Sequence, residues 1–161
     1  MKKKLHLYFC FSIFIFIACN SLKLTPEEKT LRMQQVSTDI ENKNYTIKIN
    51  QAKPMRGKVI NLSPTYDLII RNDSAIAYLP FFGYATQAPF PGTDGGIHFA
   101  QKIENYLIKS LSKNNGWEIR FDINTVEYNY KLKLSVFHSG ESTVDITSVQ
   151  RDPIFFFGEV K

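Results

Sequence analysis

The chain has 161 residues, with 20 lysines and arginines against 15 aspartates and glutamates, and a formal net charge of +5. Three of the lysines stand within the first four residues, and without them 17 basic residues face 15 acidic ones, a net charge of +2. No basic run remains to bind nucleic acid or anionic lipid headgroups, so both classes of basic binding protein are excluded.

The N-terminus is typical of a secretory signal covering residues 1–18. Lys2–Lys4 precede an apolar run, Leu5–Ala18, which is shorter than the roughly 20 residues that cross a bilayer. The run ends Phe16-Ile17-Ala18-Cys19, which resembles the lipobox of bacterial lipoproteins, although leucine is usual where Phe16 stands. The resemblance implies cleavage before Cys19 and lipidation of that cysteine by a diacylglyceryl group and an N-acyl chain such as palmitate. An ordinary signal peptide or an uncleaved anchor is the alternative.

The residues around Cys19 also predict a location and a set of partners. Aspartate after the cysteine favours inner-membrane retention in well-studied enterobacteria, so Asn20 indicates a bacterial outer membrane, with the domain facing the periplasm. Cys10 leaves with the signal and Cys19 carries the lipid, so the exported domain has no disulfide and no thiol chemistry. The expected partners are the membrane, through the lipid, and an envelope protein, a lipid or a glycan. No cofactor and no nucleic acid is expected.

A tether over residues 19–24 leads into a predicted helix over residues 25–43. Thr25 is a suitable N-cap, Pro26 suits the first helical position, and Glu28 completes a capping box. Leu31, Val36 and Ile40 recur at near-helical spacing, which makes a thin apolar stripe, too weak for membrane insertion.

Residues 44–161 are predicted to form an antiparallel β domain, because the apolar period changes to two from Tyr45 onward. Alternation is clear over residues 45–50, 118–123 and 128–136, and further strands are expected at 58–62, 67–71, 74–79, 97–99, 103–111, 142–149 and 154–160. Short strands joined by short turns favour a mainly β fold, either a sandwich or an open barrel, with one N-terminal helix.

Residues 77–96, AYLPFFGYATQAPFPGTDGG, combine aromatic rings with prolines and glycines on a segment that cannot form a long strand. One interpretation is that Phe81, Phe82 and Tyr84 fold back and fill an open end of the sheet. The other is a binding loop over residues 80–97 on a rigid β scaffold. Its candidate ligand- or partner-binding residues are Tyr78, Phe81, Phe82, Tyr84, Phe90 and His98.

Catalytic and metal motifs are absent from the sequence, and no catalytic or metal-binding residue is assigned. Asp94 and His98 lie four residues apart, but the glycines between them favour a turn over a helix. His138 lies 40 residues beyond His98 in a predicted hairpin turn. The main hypothesis is therefore a non-enzymatic binding module. A hydrolase using Asp94, His98 and His138 is the alternative and requires these side chains to converge at one cleft. A purely structural envelope lipoprotein is a further possibility, which predicts no cleft.

Several segments of the chain together carry a family resemblance: Pro54–Gly57, Asn61–Leu62, Tyr66–Leu68, Tyr78–Gly83, Gly95–Phe99, Tyr130–Phe137 and Arg151–Ile154. In their order and spacing they resemble the domain of unknown function 4251 family, small lipoproteins of the Bacteroidota. The resemblance covers roughly residues 30 to 160, and its most specific part is the Leu-Pro-Phe-Phe-Gly segment followed by the glycine-rich loop. It implies an exported, lipid-anchored, mostly antiparallel β domain and no particular activity.

Overall fold

The computed structural model of the protein describes residues 25–86 and 94–161. The predicted signal, Cys19, the tether and Phe90 lie outside these ranges. Contacts divide the chain into two units, Met1–Thr30 and Leu31–Lys161, and the described part of the first is the start of the helix. No helix in the described ranges has the length and apolar character needed to cross a membrane.

One helix, ten strands and a short 3-10 turn form from these residues, and every strand pairing is antiparallel. The turn lies at Ser112–Asn114. The remaining elements are α1 (Pro26–Glu41), β1 (Asn44–Pro54), β2 (Ile60–Asn61), β3 (Asp67–Arg71), β4 (Ser74–Leu79), β5 (Ile97–Lys102), β6 (Glu104–Ser110), β7 (Gly116–Asn124), β8 (Asn129–Phe137), β9 (Glu141–Thr147) and β10 (Ile154–Val160).

The predicted helix is confirmed, and its first turn contains the capping box. The Thr25 amide donates to Glu28 Oε2 over 2.7 Å, and the Glu28 amide donates to Thr25 Oγ1 over 3.2 Å. The hydrogen bond from the Thr25 backbone lowers the pKa of the Glu28 carboxyl. The helix ends at Glu41, two residues before the expected end, because Lys43 adopts a left-handed conformation with φ 49° and turns the chain into β1.

Within the second unit, α1 packs on the sheet through fewer side chains than its spacing predicts. Val36 and Ile40 are buried, whereas Leu31 is 65% exposed, so the apolar stripe covers only the C-terminal half of the helix. Arg32 Nη2 donates to the Val160 carbonyl and lies 3.3 Å from a Glu159 carboxylate oxygen. This contact attaches the middle of α1 to the end of β10.

The strands form one continuous sheet in the order β5-β4-β3-β1-β10-β9-β8-β7-β6, with β2 paired to β1. A single residue, Ile103, joins the two edge strands β5 and β6, so the sheet must curve until its edges meet. Ile103 is buried, and its amide donates to the Asp73 carbonyl over 2.7 Å. The mainly antiparallel β prediction is confirmed, and of its two forms the structure has the nearly closed, barrel-like one.

The core fills the inside of this curved sheet, where inward-facing residues alternate with outward ones. Rings from separated strands meet across it, with the centroids of Phe99 and Tyr130 6.0 Å apart. β10 lies between β1 and β9 at the centre of the strand order, with Phe156 fully buried. A Cβ on Gly158 would overlap the Lys48 carbonyl of β1, so glycine is required where the two strands approach.

Candidate functional site

A surface cavity of about 460 Å³ opens at one end of the sheet, between β4–β5 and the turn that joins β7 to β8. Its floor is buried, because Arg151, Tyr128 and Tyr130 are 6%, 2% and 3% exposed. The mouth is formed by side chains that reach solvent. The full lining is Tyr78, Asp94, Gly96, His98, Thr125, Glu127, Tyr128, Tyr130 and Arg151.

Arg151 organises the floor of the cavity. Its Nη1 donates to the carbonyls of Gly95 and Gly96, each over 3.0 Å. The guanidinium carbon lies 3.8 Å from the centroid of the Tyr128 ring and 4.8 Å from that of Phe81. Both distances allow cation–π attraction. One side chain thus connects the β9–β10 connection, the glycine turn before β5 and the segment after β4.

The glycine turn also positions an acid–imidazole pair at the mouth. Asp94 Oδ1 accepts from the Gly96 amide over 2.9 Å and lies 2.9 Å from His98 Nε2. The Gly96 amide, with a smaller effect of His98, lowers the pKa of the Asp94 carboxyl. Gly96 leaves room for this arrangement, because a Cβ there would overlap the imidazole and lie 2.9 Å from the Leu79 carbonyl.

Tyr78 stands opposite His98 in the β4–β5 pair, which explains why both line the mouth. The two rings meet edge to face with centroids 4.4 Å apart, and Tyr66 stacks on Tyr78 at 5.9 Å. Tyr78 remains 51% exposed. These contacts orient the exposed Tyr78 ring.

The turn between β7 and β8 forms the wall of the cavity opposite Tyr78 and His98. Thr125 Oγ1 donates to the Tyr128 carbonyl over 2.8 Å and accepts from the Tyr128 amide over 2.9 Å, which closes the turn. Burial raises the pKa of Tyr130 to about 12, while the Arg151 charge opposes this rise and Glu127 adds to it. The Tyr130 hydroxyl therefore stays protonated well above neutral pH.

The structure brings several of the sequence candidates to this cavity. Tyr78 and His98 line its mouth, and Phe81 lies against Arg151 beneath it. Phe82 is partly buried and packs on the core, whereas Tyr84 is 72% exposed. The predicted site residue Phe90 lies outside the described residues.

The described part of the aromatic segment is attached to the β9–β10 connection. Ala85 pairs with Arg151, the Thr86 amide donates to the Gln150 carbonyl, and the Asp152 amide donates to the Tyr84 carbonyl, each hydrogen bond over 2.9 Å. Residues 84–86 therefore run as a short extended segment beside the turn that carries Arg151.

His138, the third residue of the hydrolase hypothesis, lies elsewhere. It follows the opposite end of β8 from Tyr130 and packs edge to face on Trp117 with centroids 4.7 Å apart. At about 3.3 Å per residue, His138 is roughly 26 Å along the strand from Tyr130. The structure therefore brings Asp94 and His98 together and leaves His138 apart.

Sequence reasoning missed the floor of the cavity. The sequence pattern predicts Tyr128 and Tyr130 only as strand residues, and it gives Arg151 no role beyond the family resemblance. The local pattern contains no signal for the site, because Arg151 meets Gly95 and Gly96 across 56 and 55 positions of the chain. Across residues 25–86 and 94–161, no group of three or more His, Cys, Asp or Glu side chains is placed to hold a metal ion.

Comparison with known proteins supports the family resemblance. The family model described as "Domain of unknown function (DUF4251)" matches residues 27–160. The crystal structure of a DUF4251 family protein from Bacteroides eggerthii is similar with a TM-score of 0.62 at 12% identity, over 81% of this chain and 87% of that chain. A search of the curated proteins finds no match. At that identity the structural similarity shows a shared fold, while the family model spans most of the sequence, so the chain belongs to the DUF4251 family.

Proposed function

We propose that this protein is a non-enzymatic binding module, held at the cell envelope by lipid on Cys19, whose cavity receives a small polar ligand. The observation that supports this proposal is the structure of the cavity, which has a buried floor of arginine and tyrosine side chains beneath a partly exposed mouth. Ligand pockets commonly enclose about 300–1,000 Å³ and combine aromatic walls with a few fixed polar groups. A purely structural role requires no such cleft.

This proposal places ligand binding in the cavity rather than on the aromatic loop over residues 80–97 as a whole. Two exposed tyrosines allow an experiment to distinguish these two sites. Tyr78 lines the cavity and Tyr84 does not, although they are 51% and 72% exposed. The small-molecule fraction of an envelope extract should raise the thermal midpoint of the wild type and of Tyr84→Ala, but not of Tyr78→Ala. Loss of the shift in Tyr84→Ala alone would assign binding to the loop surface, and no shift in any form would contradict a small-ligand role.

The proposed anchoring rests on the lipobox-like segment Phe16–Cys19 and on Asn20. In cells fed labelled palmitate, wild type and Cys10→Ser should carry the label and Cys19→Ser should not. Density-gradient fractionation should place the labelled protein with the outer membrane. Equal labelling of Cys19→Ser would contradict lipidation at that residue.

A second candidate is an enzyme that uses Asp94 and His98 without His138, because the 2.9 Å contact between His98 and Asp94 resembles the orientation of a catalytic imidazole by a carboxylate. Among the described residues that line the cavity, Thr125 has the one aliphatic hydroxyl, and its Oγ1 already donates to the Tyr128 carbonyl. Turnover of a p-nitrophenyl ester that disappears in His98→Ala and persists in His138→Ala would favour the enzyme over the binding module.

A further inference from the structure

β6 is an edge strand with an open outer side. Of the described strands only β7 pairs with it, and it meets β5 at Ile103 without forming a ladder. In its middle, Leu107 and Ile108 are 58% and 44% exposed. An exposed apolar edge strand offers unpaired backbone groups and side chains to another strand.

The hydrogen-bond pattern shows which backbone groups of β6 reach the open side. The Leu111 amide donates to the Gly116 carbonyl over 2.9 Å, which continues the β6–β7 register. Hydrogen-bonded pairs alternate with non-hydrogen-bonded pairs in an antiparallel ladder, so the odd-numbered residues over 107–111 bond to β7. The amides and carbonyls of Tyr106 and Ile108 therefore point toward the open side.

The apolar side chains of β6 fit an antiparallel copy of the same strand. With Leu107 on a twofold axis, Leu107 lies opposite its own copy, and Tyr106 lies opposite Ile108 of the second copy. The Tyr106–Ile108 pair is then a hydrogen-bonded pair, as the outward backbone groups of both residues require. Aromatic and β-branched residues are a stabilising cross-strand combination. An axis at Ile108 would instead place Leu107 opposite Lys109 and lose this match.

The charges of β6 are complementary in the same register. Glu104 and Lys109 are exposed near opposite ends of the strand, and no ion pair within residues 25–86 and 94–161 includes either. Glu104 lies opposite Asp122 of β7, whose carboxylate accepts from Asn105 Nδ2 over 2.7 Å. Lys109 of the second copy would lie opposite Asn105, where its long side chain can reach both carboxylates. The twofold axis repeats this contact at the other end.

We propose that two copies of this chain associate through β6, antiparallel about a twofold axis at Leu107, so that their sheets become continuous. The same strand serves both copies, which is the usual form of a symmetric dimer. A contact through one strand from each copy is smaller than a standard interface of roughly 1,600 Å². The dimer is therefore weak in solution, and attachment of both copies to one membrane would strengthen it by raising their local concentration.

Cysteine crosslinking tests the pairing and its register. Opposed residues have Cβ atoms about 4.5–5.5 Å apart, close to the roughly 3.5–4.5 Å of a disulfide. Cells that express the full chain with Leu107→Cys, oxidised with copper phenanthroline, should therefore contain a disulfide-linked dimer. Ile76→Cys is the matched control and should stay monomeric, because Ile76 is 43% exposed on β4, which has a strand on either side. The wild type controls for Cys10 and Cys19.

Charge reversal tests the complementarity by sedimentation of the full chain in detergent. Glu104→Lys and Lys109→Glu should each weaken the dimer by at least about tenfold, because like charges would meet at two symmetric places. The double variant should restore it. Ile108→Pro should also dissociate the dimer while circular dichroism stays β-rich, since proline is tolerated where the amide points away from the sheet.

Four results would overturn the inference. They are no crosslink with Leu107→Cys, equal crosslinking of Ile76→Cys, crosslinking through Lys109→Cys in place of Leu107→Cys, and a double charge reversal as weak as the single ones. None of them would affect the proposed ligand binding, because the described lining of the cavity includes no residue of β6.

Discussion

Replacing Arg151 with methionine tests the contacts that build the cavity floor. Methionine keeps an unbranched side chain but removes the two hydrogen bonds to Gly95 and Gly96 and the ring contacts with Phe81 and Tyr128. Hydrogen bonds from a charged donor contribute about 1.5–3 kcal/mol each, and a cation over a ring about 0.5–2 kcal/mol. Removing the buried charge returns several kcal/mol of desolvation cost. We therefore expect a net loss of about 2–4 kcal/mol of unfolding free energy.

Urea unfolding followed by circular dichroism measures this loss. With a slope of about 2 kcal/mol per M, the midpoint should fall by about 1–2 M. The urea midpoint of Arg151→Lys should lie between those of the wild type and Arg151→Met, because the lysine ammonium keeps the charge but lacks the planar guanidinium fork. Arg56→Met, at an exposed position, is the matched control and should leave the midpoint unchanged. A midpoint for Arg151→Met equal to or above that of Arg56→Met would refute the reasoning, since burial would then cost as much as the contacts contribute.

Three further outcomes are expected. Gly96→Ala should displace the His98 ring, because the new methyl group would overlap it. The imidazole NMR signals should then shift while the circular dichroism spectrum stays β-rich, and unchanged signals would contradict the tight fit of Gly96 against His98. Stability should fall as pH rises from 10 toward 12, since the pKa of Tyr130 is raised to about 12 from the ordinary 10.0, and the folded state therefore holds the proton more tightly. Tyr130→Phe should lessen that fall, and an identical pH profile would argue against it. Arg32→Ala should speed hydrogen exchange in α1 but not in β8, and equal exchange would mean that its contacts with Val160 and Glu159 do not hold the helix.

Much of the fold could be predicted from periodicity. Expected strands at 67–71, 74–79 and 154–160 coincide with β3, β4 and β10, because each contains a short apolar run that is bounded by turn residues. Helix packing was harder to predict. Leu31 fits the apolar spacing yet is exposed, because α1 is held there by Arg32 on the C-terminal strand rather than by an apolar contact.

The candidate site was predictable only in part. Tyr78 and His98 could be selected because they lie in or beside an unusually aromatic, glycine-rich segment. Arg151 could not, because its role depends on strand order. The curve of the sheet brings the β9–β10 connection next to the turn before β5, although these segments are far apart in the chain. Likewise, the choice between a sandwich and a barrel depended on pairings between distant strands, which alternation does not encode.

The pairing of β1 with β10 has a consequence for how the protein is made. Ile47 lies opposite Val160, so the first and last strands are neighbours in the middle of the sheet. A nascent chain lacking its final residues has two partial sheets, β5-β4-β3-β1 and β9-β8-β7-β6, with nothing between them. Such long-range pairing is slow to form, and the complete sheet cannot form until β10, the last strand of the chain, has been synthesised. A premature stop within the last codons would therefore abolish the domain rather than trim its edge.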